Sequence, residues 1–149
     1  MRERIVLATF GTHGDVHPFI AVALALQRLG LSPVIASHAE FQTQVETAGI
    51  AFAAIGPSLQ EIETNLGLPR TAMLRAARSN PKVILTRYFL PYLEQSYRDS
   101  MAAIDGAALV FTHPLAFGAR LAAEKLGISH IGIVLQPYML LSACDPSLL

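Results

Sequence analysis

The sequence predicts an α/β protein built on a doubly wound parallel sheet. Apolar runs of strand length alternate with longer runs of helical periodicity, and glycines stand at the ends of the helical runs. The first apolar run, Ile5-Val6-Leu7-Ala8-Thr9-Phe10, leads directly into Gly11-Thr12-His13-Gly14-Asp15-Val16-His17-Pro18 and then into Phe19-Ile20-Ala21-Val22-Ala23-Leu24-Ala25-Leu26. That order is strand, glycine turn, helix. In open α/β sheets ligands bind at the carboxyl ends of strands, where such turns lie.

Residues 4–10 read as a buried parallel strand, being rich in Ile, Val and Leu. Residues 18–29 read as a helix, with Pro18 in its first turn and Gly30 past its end. Residues 32–37 form a second strand, 40–48 a second helix closed by Gly49, and 50–55 a third strand. This alternation requires right-handed crossovers between parallel strands. Residues 56–69 hold Gly, Pro, Ser and Asn with little periodicity and read as a long surface loop. Residues 71–79 and 83–104 read as helices, separated by Pro81, with Pro91 bending the second. Residues 107–112 are a strand, and His113-Pro114 a turn with Pro placed to start a helix. Residues 115–126 are that helix, ended by Gly127, and 130–135 are the last of five strands.

The length of 149 residues suits one domain or a large part of one. Hydrophobic residues make up 52% and charged residues 15%, enough for a core and contrary to disorder. With 11 basic and 11 acidic residues there is no electrostatic footprint for nucleic acid. A single cysteine, Cys144, excludes an internal disulfide; with no signal peptide visible, the expectation is a cytoplasmic protein. Residues 126–144 carry no Asp, Glu, Lys or Arg, but Gly127, His130, Gly132, Gln136 and Pro137 fit a buried strand and loop rather than a membrane span. The apolar tail, Pro137-Tyr138-Met139-Leu140-Leu141 and Pro146-Ser147-Leu148-Leu149, needs a surface to pack against and points to a partner domain.

The glycine turn is a weak match to a dinucleotide fingerprint. It has only Gly11 and Gly14, and the second strand ends in Ser37-His38, with Glu40 further on. No Gly-Lys-Ser or Gly-Lys-Thr triplet exists for a P-loop. Asp15 lies where backbone amides and the helix dipole favour a negative charge. It reads either as an N-cap or as a general base, and the second role requires partial burial. His13, Asp15 and His17 alternate, but a glycine turn need not bring them to one face, and no further ligand stands at a recognised spacing, so no metal is expected. His113 ends a strand and faces the same rim as Asp15; it caps the following helix, sits as a satisfied buried histidine, or contacts an acceptor. Gln136 closes the last strand and either meets a ligand or satisfies backbone groups. Tyr88, Phe89, Tyr92 and Tyr97 are spaced as a helix face, for core packing or as an aromatic platform. Arg70, Arg75, Arg78, Lys82 and Arg87 read as a solvated face, and Cys144 as inert.

The stretch Gly11-Thr12-His13-Gly14-Asp15-Val16-His17-Pro18-Phe19-Ile20-Ala21 resembles the opening motif of GT-B nucleotide-sugar glycosyltransferases. It is most similar in form to the bacterial natural-product and sterol glucosyltransferases, whose turn reads Gly-Ser-x-Gly-Asp-Val-x-Pro, and to the amino-terminal domain of glycosyltransferase family 28. Thr112-His113-Pro114-Leu115-Ala116, Ala122-Ala123-Glu124-Lys125-Leu126-Gly127-Ile128 and Leu135-Gln136-Pro137 also stand in the family's order. The resemblance implies a Rossmann-like sheet forming one half of a two-domain GT-B enzyme. Residues 1–149 would be the acceptor-binding domain, incomplete, with the carboxy-terminal donor-binding domain absent from this chain and the chain inactive alone.

The implied reaction moves a hexose with inversion, from a nucleotide-diphosphate sugar of UDP-glucose type to a hydroxyl of a lipid, sterol or natural product. It uses no cofactor and no catalytic metal, and a lipid acceptor would bring peripheral membrane association. The family's base falls on Asp15, a position that is His in the plant enzymes. The resemblance places Gly11, Thr12, His13, Gly14, His17, His113 and Gln136 on the acceptor and donor rim. His13 departs from the pattern, which carries Arg there. Two other readings stand beside this one: a non-catalytic Rossmann-like module that binds a small molecule or a subunit, and, further off, an NAD-dependent oxidoreductase.

Overall fold

A computed structural model describes residues 3–69, 71, 72, 75 and 81–136. Strand β1 (Arg4–Ala8) is the centre of the sheet because Ile5, Val6, Leu7 and Ala8 are buried on both faces. Around it lie β2 (Ser32–Ser37), β3 (Ala51–Ala54), β4 (Leu109–Thr112) and β5 (His130–Gly132). The order is β3-β2-β1-β4-β5 and every pairing is parallel, as the alternation of the sequence predicts.

Side chains of β1 alternate between two cores. Ile5 and Leu7 pack with Val16, Phe19, Ala23, Phe41 and Val45, which belong to helix α1 (His13–Arg28), a 3-10 turn (Ala39–Phe41) and helix α2 (Gln42–Thr47). Val6 and Ala8 pack on the other face with Ile104 of helix α4 (Leu93–Ile104) and Ala119, Ala122 and Ala123 of helix α5 (Phe117–Leu126). A buried Phe19 or Leu7 contributes about 1.5–3 kcal/mol relative to exposure. Helices α4 and α5 approach closely because α5 presents Gly118. A Cβ there would lie 2.7 Å from the backbone carbon of Ser96 and from the amide nitrogen of Tyr97, atoms that cannot swing aside.

Several boundaries differ from the sequence reading. Helix α1 begins at His13, not Pro18, because the Asp15 carboxylate closes its first turn on Thr12. Pro18 therefore sits inside the helix and withholds the N–H that the Gly14 carbonyl would otherwise take. The expected loop 56–69 contains a helix, α3 (Leu59–Leu66). Ser58 Oγ accepts the Glu61 N–H at 3.0 Å, Glu40 Oε1 accepts the Gln60 N–H at 3.2 Å, and Gly67 closes the helix in the left-handed region. Helix 40–48 is divided into the 3-10 turn and α2. Residues 81–104 are helical, but an α turn (Pro81–Val83), a π segment (Ile84–Phe89) and a 3-10 turn (Leu90–Tyr92) precede α4. Pro91 has no N–H for the Arg87 carbonyl, so a regular helix cannot pass through it.

Pro114 and Leu115 lie in a turn, closed by the Ala116 N–H on the His113 carbonyl at 2.8 Å, and α5 starts only at Phe117. Strand β5 ends at Gly132 rather than residue 135, although the Ile133 N–H still reaches the Thr112 carbonyl at 2.9 Å. Among the described residues no helix is long and apolar enough to cross a membrane. Arg70, Arg78, most of the helix expected at 71–79, and residues 137–149 with Cys144 and the apolar tail lie outside the described residues.

The strand order creates one special edge. From β1 the chain builds β2 and β3 on one side, then crosses back to place β4 on the other. The connections after β1 and β4 therefore diverge and leave a crevice at their carboxyl ends.

Candidate active site

The end of β1 is tied to its surroundings by short polar groups. Ser37 Oγ–H donates to the Thr9 carbonyl at 2.8 Å, and Thr9 Oγ1–H donates to the Asp15 carbonyl at 3.3 Å. Thr9 and Ser37 are buried, so these bonds hold the start of α1 against two strand ends. The sequence reading assigned them no role; a polar residue closing an otherwise apolar strand was the available signal.

Asp15 is the third residue of α1 rather than its N-cap, which is Thr12. Its Oδ2 accepts the Thr12 N–H at 2.7 Å and the Thr12 Oγ1–H at 3.1 Å. This closure requires Gly11, whose φ is +132° and whose added Cβ would fall 2.2 Å from Asp15 Oδ2. The carboxylate is only 16% exposed, and its other oxygen, Oδ1, lies 3.6 Å from His113 Nε2. Asp15 follows β1 and His113 follows β4, so the two meet at the crevice where the strand order reverses.

Of the readings open for His113, the structure favours the buried histidine over the acceptor contact: its side chain is 1% exposed beside Asp15, with Phe19 edge-on at 6.2 Å. Its Nδ1 accepts the Leu115 N–H at 3.3 Å, so the neutral ring carries its hydrogen on Nε2, toward Asp15. Burial holds the imidazole below its ordinary 6.5, against a smaller opposing pull from the Asp15 charge. His113 is therefore neutral at neutral pH.

His13 and His17 are exposed one turn apart on α1, their rings 5.6 Å from each other, and His13 meets Phe41 edge-on at 5.3 Å. Among the described residues no group of three or more His, Cys, Asp or Glu side chains could hold a metal ion. Gly14 is exposed in the first turn of α1. Gln136 is exposed beyond the end of β5. His38, at the end of β2, is buried; its Nδ1–H donates to the Pro57 carbonyl at 2.6 Å and its ring stands edge-on to Phe10 at 4.6 Å. It fastens the segment before α3 to the sheet.

The aromatic residues divide. Phe89 packs edge-on to Phe10 at 6.4 Å and Phe117 at 6.1 Å, and Tyr97 lies against the core, as the packing alternative predicts. The Tyr92 hydroxyl accepts from Asn65 Nδ2 at 3.0 Å. Partial burial pushes the Tyr88 phenol above its ordinary 10.0, against a smaller pull from Arg87.

A half-buried carboxylate that spends one oxygen on two donors keeps the other for a proton from a bound hydroxyl. Residues 5–138 match the model of the glycosyltransferase family 28 N-terminal domain. The chain belongs to that family. Over 138 residues, 91% of the chain, it is 31% identical to the sterol 3-beta-glucosyltransferase ATG26 of Gibberella zeae and covers 9% of that protein. It is 28% identical over 132 residues to the sterol 3-beta-glucosyltransferase UGT80B1 of Arabidopsis thaliana, covering 85% of the chain and 21% of that protein. This family 28 domain thus spans a small part of the curated relatives it matches.

Among solved structures, the glycosyltransferase SsfS6 of Streptomyces sp. SF2575, complexed with thymidine diphosphate, superposes with a TM-score of 0.69 at 24% identity, covering 89% of this chain and 38% of that one. The glycosyltransferase SnogD of Streptomyces nogalater gives 0.67 at 18% identity, covering 93% and 36%. At these identities the likeness concerns the fold, which is that of GT-B glycosyltransferases. The family and fold expected from the glycine turn are both found.

Proposed function

We propose that this family 28 domain binds the acceptor in an inverting glycosyltransferase that moves glucose from UDP-glucose to a sterol hydroxyl, with Asp15 as general base. The observation that carries the reading is the Asp15 carboxylate, fixed by Thr12 at the β1–β4 crevice. Two donors occupy Oδ2, so Oδ1 is the oxygen with room for the hydroxyl proton. As Oδ1 takes that proton, the acceptor oxygen attacks the anomeric carbon. The bond from that carbon to the diphosphate breaks, UDP leaves with the electron pair, and the configuration inverts. The reaction takes no metal and no organic cofactor.

The sterol acceptor is supported by the names of the relatives, which share 28–32% identity over at least 85% of the chain. The sugar nucleotide binds a second domain outside these residues, and the exposed side chains of His13 and His17 border the acceptor. The full-length protein, incubated with UDP-glucose and ergosterol or cholesterol, should release UDP and form a β-linked sterol glucoside detectable by mass spectrometry and NMR. Residues 1–149 alone should form none. Failure of the full-length protein to glucosylate any sterol offered would remove the acceptor assignment, and steady transfer by residues 1–149 would contradict the second donor-binding domain.

A further inference from the structure

We propose that His113 is a positioning residue for the base, its Nε2–H holding Asp15 Oδ1 so that the oxygen's remaining lone pair faces the acceptor. This rests on the reading of Asp15 as the base. Three observations lead to it. The side chain of His113 is 1% exposed, so it cannot itself meet an acceptor. Its Nδ1 is engaged by the Leu115 N–H, which leaves the ring no free lone pair and assigns the hydrogen to Nε2. That Nε2 is a buried polar atom with no hydrogen bond, and Asp15 Oδ1 stands 3.6 Å in front of it.

A distance of 3.6 Å is longer than a hydrogen bond. A buried N–H left in that state is costly, and catalytic hydrogen bonds that are long without substrate tighten in the reacting complex. When an acceptor hydroxyl closes the crevice, the low-dielectric contact shortens and Oδ1 becomes held from behind by His113 while Oδ2 is held by Thr12. The carboxylate then cannot rotate, and its one open lone pair is fixed. Among the described residues, Asp15 is the charge that acts on the His113 ring. The imidazole moves no proton in this scheme; it stays neutral and donates.

The test compares His113→Gln with His113→Met in the full-length protein. Gln keeps an N–H at the ε position, whereas Met fills similar space without a donor. His113→Met should lower kcat for sterol glucosylation about 100-fold with the acceptor KM unchanged, and should move the acid limb of the pH–rate profile upward. His113→Gln should restore most of the loss. Equal kcat in both variants, at the wild-type level or equally reduced, would overturn the proposal.

A second arm needs neither activity nor a variant of His113. In 15N NMR of the wild-type protein the His113 ring should show the Nε2–H tautomer, and its Nε2 signal should shift in Asp15→Asn. An Nδ1–H tautomer, or an Nε2 signal indifferent to Asp15→Asn, would refute the contact even if Asp15 proves to be the base. Absence of transfer by the wild-type protein, with the NMR result as expected, would instead count against the function and leave the His113–Asp15 contact established.

Discussion

Asp15→Asn in the full-length protein should lower kcat for glucosyl transfer by about 10²–10⁴-fold, the range of a lost general base. The substitution is nearly isosteric, and the amide oxygen can still accept the Thr12 N–H that Oδ2 accepts at 2.7 Å. What disappears is the basic lone pair on Oδ1. The cap is weakened and the amide NH2 is turned toward the buried His113 Nε2–H, so stability should fall by about 1–3 kcal/mol. Acceptor KM should stay within a few-fold, because the hydroxyl still meets a polar atom. Steady-state kinetics and a urea melt, run on the same preparation, separate loss of chemistry from loss of fold. Near wild-type turnover in a folded variant would end the assignment of Asp15 as base.

Gly11→Ala should damage the same oxygen from behind. The added methyl would stand 2.2 Å from Asp15 Oδ2 and 2.7 Å from its carboxyl carbon, at a φ of +132° that L residues avoid. The backbone strain alone costs about 1–3 kcal/mol. Relief of the clash turns the carboxylate off Thr12, so transfer should fall about as far as in Asp15→Asn. Gly14→Ala is the control. Its Cβ would meet only Thr12 Oγ1, at 3.5 Å, and it lies within α1. There Ala is worth about 0.5–1 kcal/mol over Gly. Denaturation and turnover should therefore diverge between the two: Gly11→Ala less stable and inactive, Gly14→Ala at least as stable and active. A stable, active Gly11→Ala would show that the closure of Asp15 on Thr12 is dispensable.

What the sequence reveals follows from the range of each interaction. Strands β1 to β4 are legible because alternating apolar runs with glycine stops are local signals, and the turn before α1 is legible because Gly11 and Asp15 stand four residues apart in one motif. Strand order is not local. That β4 lies beside β1, and so brings His113 to Asp15, is a property of the whole sheet. Helix α3 is hard to read because it is only eight residues long: Leu59, Ile62 and Leu66 stand at helical spacing, but polar residues fill the rest and only Ile62 is buried. Its signal was the pair Ser58 and Glu61, the pattern of a capping box, followed by Gly67. The sequence sets the start of α1 too late because Pro18 reads as a first-turn residue; the Asp15–Thr12 closure, a side-chain bond, sets it earlier. Strand β5 reads as longer than it is because Ile133, Val134 and Leu135 continue its apolar run, whereas pairing stops at Gly132.

The central claim is that Asp15 Oδ1 receives the proton of an acceptor hydroxyl. The most direct measurement is a crystal structure of the full-length protein with a bound sterol. The sterol hydroxyl should lie within about 2.6–3.2 Å of Asp15 Oδ1, with Oδ2 still on Thr12. A sterol seated in the crevice with its hydroxyl turned to another base, Asp15 remaining on Thr12, would contradict it.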